Sequence, residues 1–302
     1  MLDGIMPAMI TPFDERGEID PGATERVVER CIEAGVDGLS ILGSTGEFSH
    51  LSVEERRGFA ERVIGLVNGR VKVVVGVGST STREAAELAR HAERSGADAT
   101  LCVPPFYFKV GEKALFRHFS TVARSTELPM LVYNFPLLTG LDLSPRLVAR
   151  LASDLPNVAG LKDTVTEHVH TLDVLGEIKA ANPDFSVLVG FEEQILPNLL
   201  AGGDGAISGL ANVAPELFVG LVRAFREGDL EAAADRHRRI LALLGLGRLS
   251  DPVVGAIKAA MQRLGVGISP EVRGPALPLP PEAYDELDGY LESAGLQIAG
   301  SI

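Results

Sequence analysis

The sequence is short of the residues on which several classes of protein depend. It contains no tryptophan and only two cysteines, Cys31 and Cys102, in 302 residues. Cys31 falls in a helical pattern and Cys102 in a strand pattern, so we expect two buried free thiols rather than a disulfide. Positive charge is also scarce, and the formal net charge is −13. This balance argues against non-specific binding to nucleic acid or to an anionic membrane surface.

Two further absences concern location. No uninterrupted apolar run is long enough to cross a bilayer. The first seven residues lack a basic region followed by an apolar one, which is the pattern of a secretory signal. We therefore expect a soluble, cytoplasmic protein. The composition, 46% hydrophobic and 23% charged, is ordinary for a globular chain with a large core.

Short apolar strands alternate with amphipathic helices along most of the chain. Eight strands are predicted, over residues 4–13, 39–42, 71–77, 97–103, 130–133, 158–164, 186–189 and 205–210. The helix after the sixth strand is predicted over residues 166–180. Eight near-equal units with neither a phosphate-binding loop nor a G-x-G-x-x-G fingerprint favour a closed (β/α)8 TIM barrel over an open doubly wound sheet.

The pattern changes after Arg226. Helices are predicted over residues 229–244, 251–264 and 281–294, with a proline-rich linker over residues 270–281 before the last of them. We therefore predict a catalytic barrel domain in residues 1–226 and a helical C-terminal region in residues 227–302, which is too small to be a second catalytic domain.

Lysine is rare in this chain, and Lys162 differs from the others in its setting. It lies near the end of an apolar strand, whereas the other five fall in loops, at strand edges or on polar helix faces, where a solvated cation is expected. These five are Lys72, Lys109, Lys113, Lys179 and Lys258. Burial disfavours the charged form of an amine, and a free amine is the nucleophile that forms a Schiff base with a carbonyl substrate. The alternative is a structural ion pair, with Asp163 or Glu192 as the partner.

The C-terminal ends of barrel strands hold the active site, and several predicted strands end in suitable residues. The second strand leads into residues 43–47 (Gly-Ser-Thr-Gly-Glu), where backbone N–H groups and the hydroxyls of Ser44 and Thr45 suit a small carboxylate. The fifth strand ends at Tyr133, a phenol that could exchange protons with a carbinolamine. An ordinary turn and a core tyrosine are the structural alternatives.

Three other strand ends add weaker signals. Tyr107 lies on the loop after the fourth strand, and Ser208 ends the eighth. Gly190 ends the seventh strand, where the missing side chain lets a ligand approach the backbone. The histidines form no metal motif, because His168 and His170 are two positions apart at a helix start and no carboxylate–histidine cluster is predicted. We therefore expect no metal site.

Three motifs, taken together, resemble a known family. Residues 43–47 (Gly-Ser-Thr-Gly-Glu), 133–136 (Tyr-Asn-Phe-Pro) and 160–164 (Gly-Leu-Lys-Asp-Thr) have the order and spacing found in the dihydrodipicolinate synthase / N-acetylneuraminate lyase family. The resemblance covers nearly the whole chain, including the helical tail. It implies a class I aldolase or dehydratase of the pyruvate type on a (β/α)8 barrel, usually a homotetramer built as a dimer of dimers. It also implies no cofactor, because the substrate forms an imine with the lysine.

The resemblance implies catalytic roles for four residues. Lys162 would form the Schiff base with the 2-oxo carbon of the substrate. Tyr133 would be the acid and base, and Ser44 would be part of its proton relay. Tyr107 matches the tyrosine that completes this relay across a subunit interface.

The resemblance also implies how the substrate is bound. Ser44 and Thr45 would hold its carboxylate, and Gly190 and Ile207 match positions whose backbone lies beside it. One residue departs from the pattern. Dihydrodipicolinate synthases carry Ser-Arg-Thr-Gly after the Tyr-Asn-x-Pro motif, and the arginine binds the carboxylate of the aldehyde substrate. The apolar Leu138, at the place of that arginine, cannot do so.

The pattern is more similar to the 2-keto-3-deoxygluconate aldolase branch. The predicted function is therefore that of a lyase that reversibly cleaves a 2-keto-3-deoxy sugar acid to pyruvate and an aldehyde. Alternatives within the family are a 4-hydroxy-tetrahydrodipicolinate (dihydrodipicolinate) synthase, an N-acetylneuraminate lyase and a keto-deoxy-acid dehydratase. An alternative of a different class is a non-catalytic barrel that binds a sugar acid as a sensor.

Overall fold

Eight parallel strands form the centre of the molecule. The computed structural model describes residues 2–179 and 181–299. The strands are β1 (Gly4–Pro7), β2 (Gly38–Ile41), β3 (Lys72–Gly76), β4 (Ala99–Cys102), β5 (Met130–Asn134), β6 (Val158–Asp163), β7 (Ser186–Val189) and β8 (Gly205–Ser208). Their order is β1-β8-β7-β6-β5-β4-β3-β2, and a parallel bridge between Ala8 and Ser40 joins the first strand to the second. The predicted (β/α)8 barrel is confirmed.

Helices surround the strands. The principal ones in the barrel are α1 (Pro21–Glu33), α2 (Val53–Val67), α3 (Thr82–Ser95), α4 (Glu112–Ala123), α5 (Pro136–Thr139), α6 (Pro145–Asp154), α7 (Val169–Val174), α8 (Ile195–Leu200) and α9 (Pro215–Arg226). Their starts follow local chemistry. The Asp20 carboxylate accepts hydrogen bonds from the first-turn amides of α1, and Ser52 and Glu55 form the predicted capping box of α2. None of the helices in the described ranges is long and apolar enough to cross a membrane.

Several predicted boundaries differ from those observed. The first strand ends at Pro7 rather than at Phe13, because the Ile10 amide bonds to the Asn212 side chain instead of to a neighbouring strand. The Thr11 hydroxyl donates to the Gly46 carbonyl and so ties this segment to the loop after β2. The helix predicted from residue 166 begins at Val169, and a π-helical turn, Leu175–Lys179, extends it. Its predicted last residue, Ala180, lies outside the described residues. The β-branched run 164–166 favours extended chain over helix. Helix α8 has no counterpart in the prediction.

The two cysteines are buried and free, as expected. Burial raises the pKa of both thiols to about 12, so both are protonated and unreactive at neutral pH. A small apolar cluster fills the barrel interior below the mouth, and a larger one packs the strands against the helices. The interior cluster includes Met6, Val74, Leu101, Leu131, Tyr133, Leu188 and Ile207. Tyr133 therefore packs in the interior cluster and also lies at the mouth of the barrel.

Three helices follow the barrel in the C-terminal region: α10 (Leu230–Ala242), α11 (Val254–Arg263) and α12 (Tyr284–Ser293). The prediction that Lys258 is a solvated cation was wrong. Lys258 is fully buried, and its Nζ donates to Glu47 Oε1 at 2.6 Å and to the Glu271 carbonyl at 2.8 Å. The sequence conceals this because every residue from Val254 to Met261 is buried, so α11 shows no polar face from which to read an orientation.

Candidate active site

A cavity of about 420 Å³ opens at the C-terminal ends of the strands. Six of the seven predicted site residues line it: Ser44, Thr45, Tyr133, Lys162, Gly190 and Ile207. Residues 250–254, between the barrel and α11, form another part of its wall. The barrel and the C-terminal region therefore build one cavity together.

Lys162 and Tyr133 lie side by side on neighbouring strands. The two residues are paired in the register of β5 and β6, and Lys162 Nζ is 4.3 Å from the centre of the Tyr133 ring. Both side chains are buried, with 4% of Lys162 exposed. Within residues 2–179 and 181–299, no carboxylate lies within ion-pair distance of Lys162 Nζ. The alternative of an ion pair with Asp163 or Glu192 is thus contradicted.

The loop after β2 is held in an unusual backbone conformation. Leu42 and Glu47 both have left-handed backbone angles, with φ of 57° and 55°. Such angles are costly for residues other than glycine and persist where the surroundings enforce them. Here the Glu47 carboxylate is bound by Lys258 Nζ and by the Arg273 amide, the latter at 2.9 Å. The loop is therefore fixed with Ser44 and Thr45 facing the cavity.

Gly190 is required by close packing as well as by access to the backbone. A Cβ atom added there would lie 1.9 Å from the Thr164 hydroxyl oxygen, which is far inside van der Waals contact. Thr164 follows Lys162 by two residues and lines the same cavity. A side chain at position 190 would therefore displace the end of the lysine strand.

The sequence analysis did not assign Glu192 to the site except as a partner for Lys162. The structure places its carboxyl in the cavity wall, where Oε1 accepts from the Ser208 hydroxyl at 2.7 Å and from the Leu210 amide at 3.1 Å. Burial raises the pKa of Glu192 above its usual value, and these hydrogen bonds only partly oppose the effect. In the sequence, Glu192 comes directly after Gly190 and Phe191 at the end of a predicted strand, and this position could have identified it as a site residue.

With this geometry in place, the chain can be compared with known proteins. The model of the dihydrodipicolinate synthetase family matches residues 1–294. The chain belongs to this family.

Individual relatives are similar over the full length. The Escherichia coli K12 protein named "Probable 2-dehydro-3-deoxy-D-pentonate aldolase YjhH" is 41% identical over 295 residues, which cover 98% of each chain. The crystal structure of YagE, a prophage protein of the dihydrodipicolinic acid synthase family from E. coli K12 in complex with pyruvate, matches with a TM-score of 0.97 and 41% identity over 98% of this chain and 100% of that one. The 4-hydroxy-tetrahydrodipicolinate synthase of Methanopyrus kandleri is 42% identical over 273 residues, which cover 89% of each chain.

Of the seven predicted site residues, Tyr107 alone does not line the cavity of this dihydrodipicolinate synthetase family member. Its side chain is 86% exposed, its φ is 84°, and its ring packs edge-on against the exposed Phe108, with ring centres 5.0 Å apart. Beside the main cavity lies an apolar recess of about 250 Å³, lined by Ser44, Phe48, Val103, Phe106, Phe135 and Leu138, among others. The family role of Tyr107, across a subunit interface, stays a prediction.

His170, which the sequence analysis considered only with His168 as a possible metal motif, lies beside a carboxylate. His170 Nδ1 lies 2.8 Å from Asp163 Oδ2, because β6 and the start of α7 turn back on one another. The described residues contain no group of three or more histidines, cysteines or carboxylates placed to hold a metal ion. The His170 cluster lies behind the lysine strand rather than in the cavity, and it is considered below.

Proposed function

We propose that this protein is a Schiff-base aldolase that reversibly cleaves a 2-keto-3-deoxy sugar acid, such as 2-keto-3-deoxygluconate, to pyruvate and an aldehyde. One observation carries the proposal: a buried lysine amine faces a cavity beside a phenol ring, with no carboxylate partner among the described residues. A structural lysine in such a setting would need a counter-ion. A catalytic lysine must instead be free of a counter-ion, so that its amine can act as a nucleophile.

In the proposed mechanism, Lys162 Nζ attacks the 2-oxo carbon, and loss of water from the carbinolamine gives a protonated imine. The imine accepts the electron pair of the C3–C4 bond as that bond breaks. Tyr133 takes the proton of the C4 hydroxyl, so the aldehyde leaves and an enamine remains on Lys162. Protonation at C3 and hydrolysis of the imine then release pyruvate and restore the amine. The imine itself is the electron sink, so the proposed chemistry uses no metal ion or organic cofactor.

Different residues that line the cavity suit different parts of the substrate. The Ser44–Thr45 loop offers hydroxyl and backbone N–H donors for the carboxylate of the pyruvate half, near Lys162. Glu192 lies in the same wall, where its carboxyl can accept from or donate to hydroxyl groups. Gly190 and Ile207 leave the backbone of two strands open beside the substrate.

The charges that line the cavity favour a hydroxylated aldehyde over one with a second carboxylate. Lys162 is the only cation among the described residues that line it, whereas Glu192 and Asp251 supply two carboxyl groups. Leu138 lies at the place of the arginine that the synthases carry, and it is 62% exposed at the mouth. A carboxylate on the aldehyde would therefore meet acidic and apolar groups instead of a cation. Identity alone does not separate the two functions, since relatives of both names lie near 41%.

We further propose a homotetramer in the cytoplasm, with a catalytic barrel in residues 1–226 and a supporting helical region in residues 227–302. Support for assembly comes from the exposed Tyr107 and Phe108, of which 86% and 74% are accessible in the single chain. Exposed aromatic pairs of this kind are typical of interfaces. The small-molecule partners of the protein would be a 2-oxo acid and an aldehyde, and it would bind neither nucleic acid nor a membrane.

Two assays test the function. Pyruvate release from a panel of 2-keto-3-deoxy acids of different chain length should be fastest with a sugar acid, and condensation of pyruvate with aspartate semialdehyde should be slow by comparison. The reverse result would favour the synthase. Release of water with the carbon chain intact would favour the dehydratase, and binding of a sugar acid without turnover would favour the sensor.

A further inference from the structure

A second polar cluster lies directly behind the proposed catalytic pair. Asn134 and Asp163 follow Tyr133 and Lys162 by one residue, and they are paired in the same register of β5 and β6. Successive side chains of a strand point to opposite faces, so this second pair faces away from the cavity. Both side chains are fully buried. Any change in their contacts therefore acts on the strand ends that carry the catalytic pair.

Hydrogen bonds connect these two residues to the segments around them. Asn134 Nδ2 donates to Asp163 Oδ1 at 3.0 Å, and Asn134 Oδ1 accepts from the Leu143 amide at 3.1 Å. Asp163 Oδ2 accepts from His170 Nδ1 at 2.8 Å and from the Thr171 hydroxyl at 2.8 Å. Three of these bonds join β5, β6 and the start of α7 from side chain to side chain, and the fourth binds Asn134 to the backbone after β5.

His170 closes this network into a ring. Its second nitrogen, Nε2, lies 2.8 Å from the Leu143 carbonyl oxygen, and Leu143 is the residue whose amide binds Asn134. Both ring nitrogens thus face atoms that can only accept hydrogen bonds. A neutral imidazole has one donor nitrogen and would leave a lone pair facing an oxygen. With Asp163 present as the carboxylate, only the imidazolium satisfies both contacts.

The surrounding charges agree with this protonation state. Burial on its own lowers the pKa of His170, but the hydrogen bond and charge of Asp163, the Leu143 carbonyl and the charge of Asp142 outweigh it and raise the pKa to about 9. Asp142 Oδ1 lies 3.8 Å from Nε2, and Glu167 and Asp173 line the open cleft beside the ring. Among the described residues, no cation lies within ion-pair distance of Asp163 other than His170.

We propose that His170 is a positioning residue: as an imidazolium it fixes the Asn134–Asp163 pair, and through it the register in which the Tyr133 ring lies beside Lys162 Nζ. The inference rests on the proposed function for its effect on catalysis. The Ser44–Thr45 loop follows β2, on another part of the barrel, and takes no part in the cluster. Loss of the imidazolium should therefore slow the chemical steps without weakening the binding of the pyruvate carboxylate.

The first test is the protonation state of the ring in the unmodified protein. In ¹⁵N spectra of full-length protein, both nitrogens of His170 should carry protons at pH 7.5 and should titrate near pH 9. Because this folded pKa lies above the usual 6.5, the stability that the ion pair contributes is complete below pH 6.5 and is lost as the pH rises through 9. A neutral His170 ring at pH 7.5 would overturn the inference.

The second test compares His170→Asn with His168→Asn. The asparagine amide at position 170 can keep a hydrogen bond to Asp163 but carries no charge and does not reach Leu143. His168 lies on the same segment, and its ring nitrogens have no hydrogen-bond partner in residues 2–179 and 181–299. With the sugar acid as substrate, kcat of His170→Asn should fall by about 10- to 100-fold at pH 7.5 with KM within about twofold of wild type. His168→Asn should match wild type.

The pH profile separates positioning from simple stabilisation. Wild-type kcat should decline as the ring titrates, whereas His170→Asn should be slow at every pH and lack that decline. A His170→Asn protein with wild-type kcat and profile would overturn the inference and leave the proposed aldolase intact. If this variant does not fold, the decline in wild-type imine formation with pyruvate must coincide with the ¹⁵N titration, and a mismatch would overturn the inference. A wild-type protein that forms no imine at any pH would instead refute the proposed function, and the catalytic role of His170 with it.

Discussion

Two buried lysines in this molecule have almost the same surroundings and opposite expected roles. Lys162 is 4% exposed with its Nζ 4.3 Å from the centre of the Tyr133 ring, and Lys258 is 0% exposed with its Nζ 4.1 Å from the centre of the Phe13 ring. They differ in their partners. Lys258 donates to the Glu47 carboxylate, whereas Lys162 has no carboxylate within ion-pair distance among the described residues. Burial by itself therefore does not identify a nucleophile.

The difference also explains the C-terminal region. Burial lowers the pKa of Lys258 to about 8, although the Glu47 charge and hydrogen bond oppose the effect. A desolvated pair of this kind has little net effect on stability but is costly to break. What it secures here is the backbone of Glu47, which ends the loop carrying Ser44 and Thr45. One lysine is expected to react with the substrate, and the other holds the loop that is proposed to bind the substrate.

The largest expected effect comes from removing the unpaired lysine. Lys162→Met should lower activity by about 10⁴-fold or more, because no imine can form. The free energy of unfolding should stay the same or rise, since an apolar chain replaces a desolvated amine that has no counter-ion in the described part of the protein. Activity assays and urea unfolding of the same preparation measure both. A Lys162→Met protein that is markedly destabilised would show that this lysine is structural.

The paired lysine should respond in the opposite way. Lys258→Met leaves the Glu47 carboxylate buried without its cation, which should destabilise the fold by about 3–5 kcal/mol. The double variant Glu47→Gln/Lys258→Met removes the stranded charge and should recover part of this loss. Chemical denaturation of the three variants measures the coupling between the two positions. If Lys258→Met has wild-type stability, the ion pair does not hold the loop.

A third variant gives the two buried lysines the same kind of aromatic neighbour. Tyr133→Phe gives Lys162 a phenylalanine neighbour, as Lys258 has in Phe13, and removes only the hydroxyl. The turnover number should fall by about 10²- to 10³-fold because the proposed general acid and base is lost, while Lys162 should still form an imine with pyruvate. Steady-state kinetics beside borohydride trapping separate these steps. Wild-type turnover in Tyr133→Phe would remove the phenol from the mechanism.

The smallest effect is expected at Glu192. Its carboxyl is bonded to Ser208 rather than to Lys162, so Glu192→Gln should leave trapping of pyruvate unchanged. The KM for the sugar acid should rise by a factor of about 2 to 10, the value of one hydrogen bond to a substrate hydroxyl. Glu193→Gln, at the exposed neighbouring position, is the matched control. Failure of Glu192→Gln to trap pyruvate would mean that Lys162 depends on this carboxylate after all.

The sequence was a good guide to the barrel and to the residues at its mouth. Apolar strands at regular intervals predict the eight βα units, and the strand-end rule leads directly to Tyr133 and Lys162, which the structure brings together in one cavity. The predicted positions of the strand ends were less accurate. Hydrophobic pattern does not reveal where backbone groups leave the sheet for side-chain partners, as they do at Ile10.

Contacts that depend on how the segments fold against one another could not be predicted. Lys258 and Glu47 are separated by 211 positions, and α11 is buried on all sides, so no periodicity shows which way its lysine points. His170 and Asp163 are only seven positions apart, but their contact depends on the turn between β6 and α7. The role predicted for Tyr107 requires a second copy of the chain, and in the single chain its side chain is 86% exposed.

The most direct test is to treat the protein with pyruvate and borohydride and to locate the added mass by peptide mapping. The account predicts a single stable adduct on Lys162, with Lys258 unmodified despite its equal burial. An unmodified Lys162, or an adduct on Lys258 instead, would contradict the claim that the lysine without a carboxylate partner is the nucleophile.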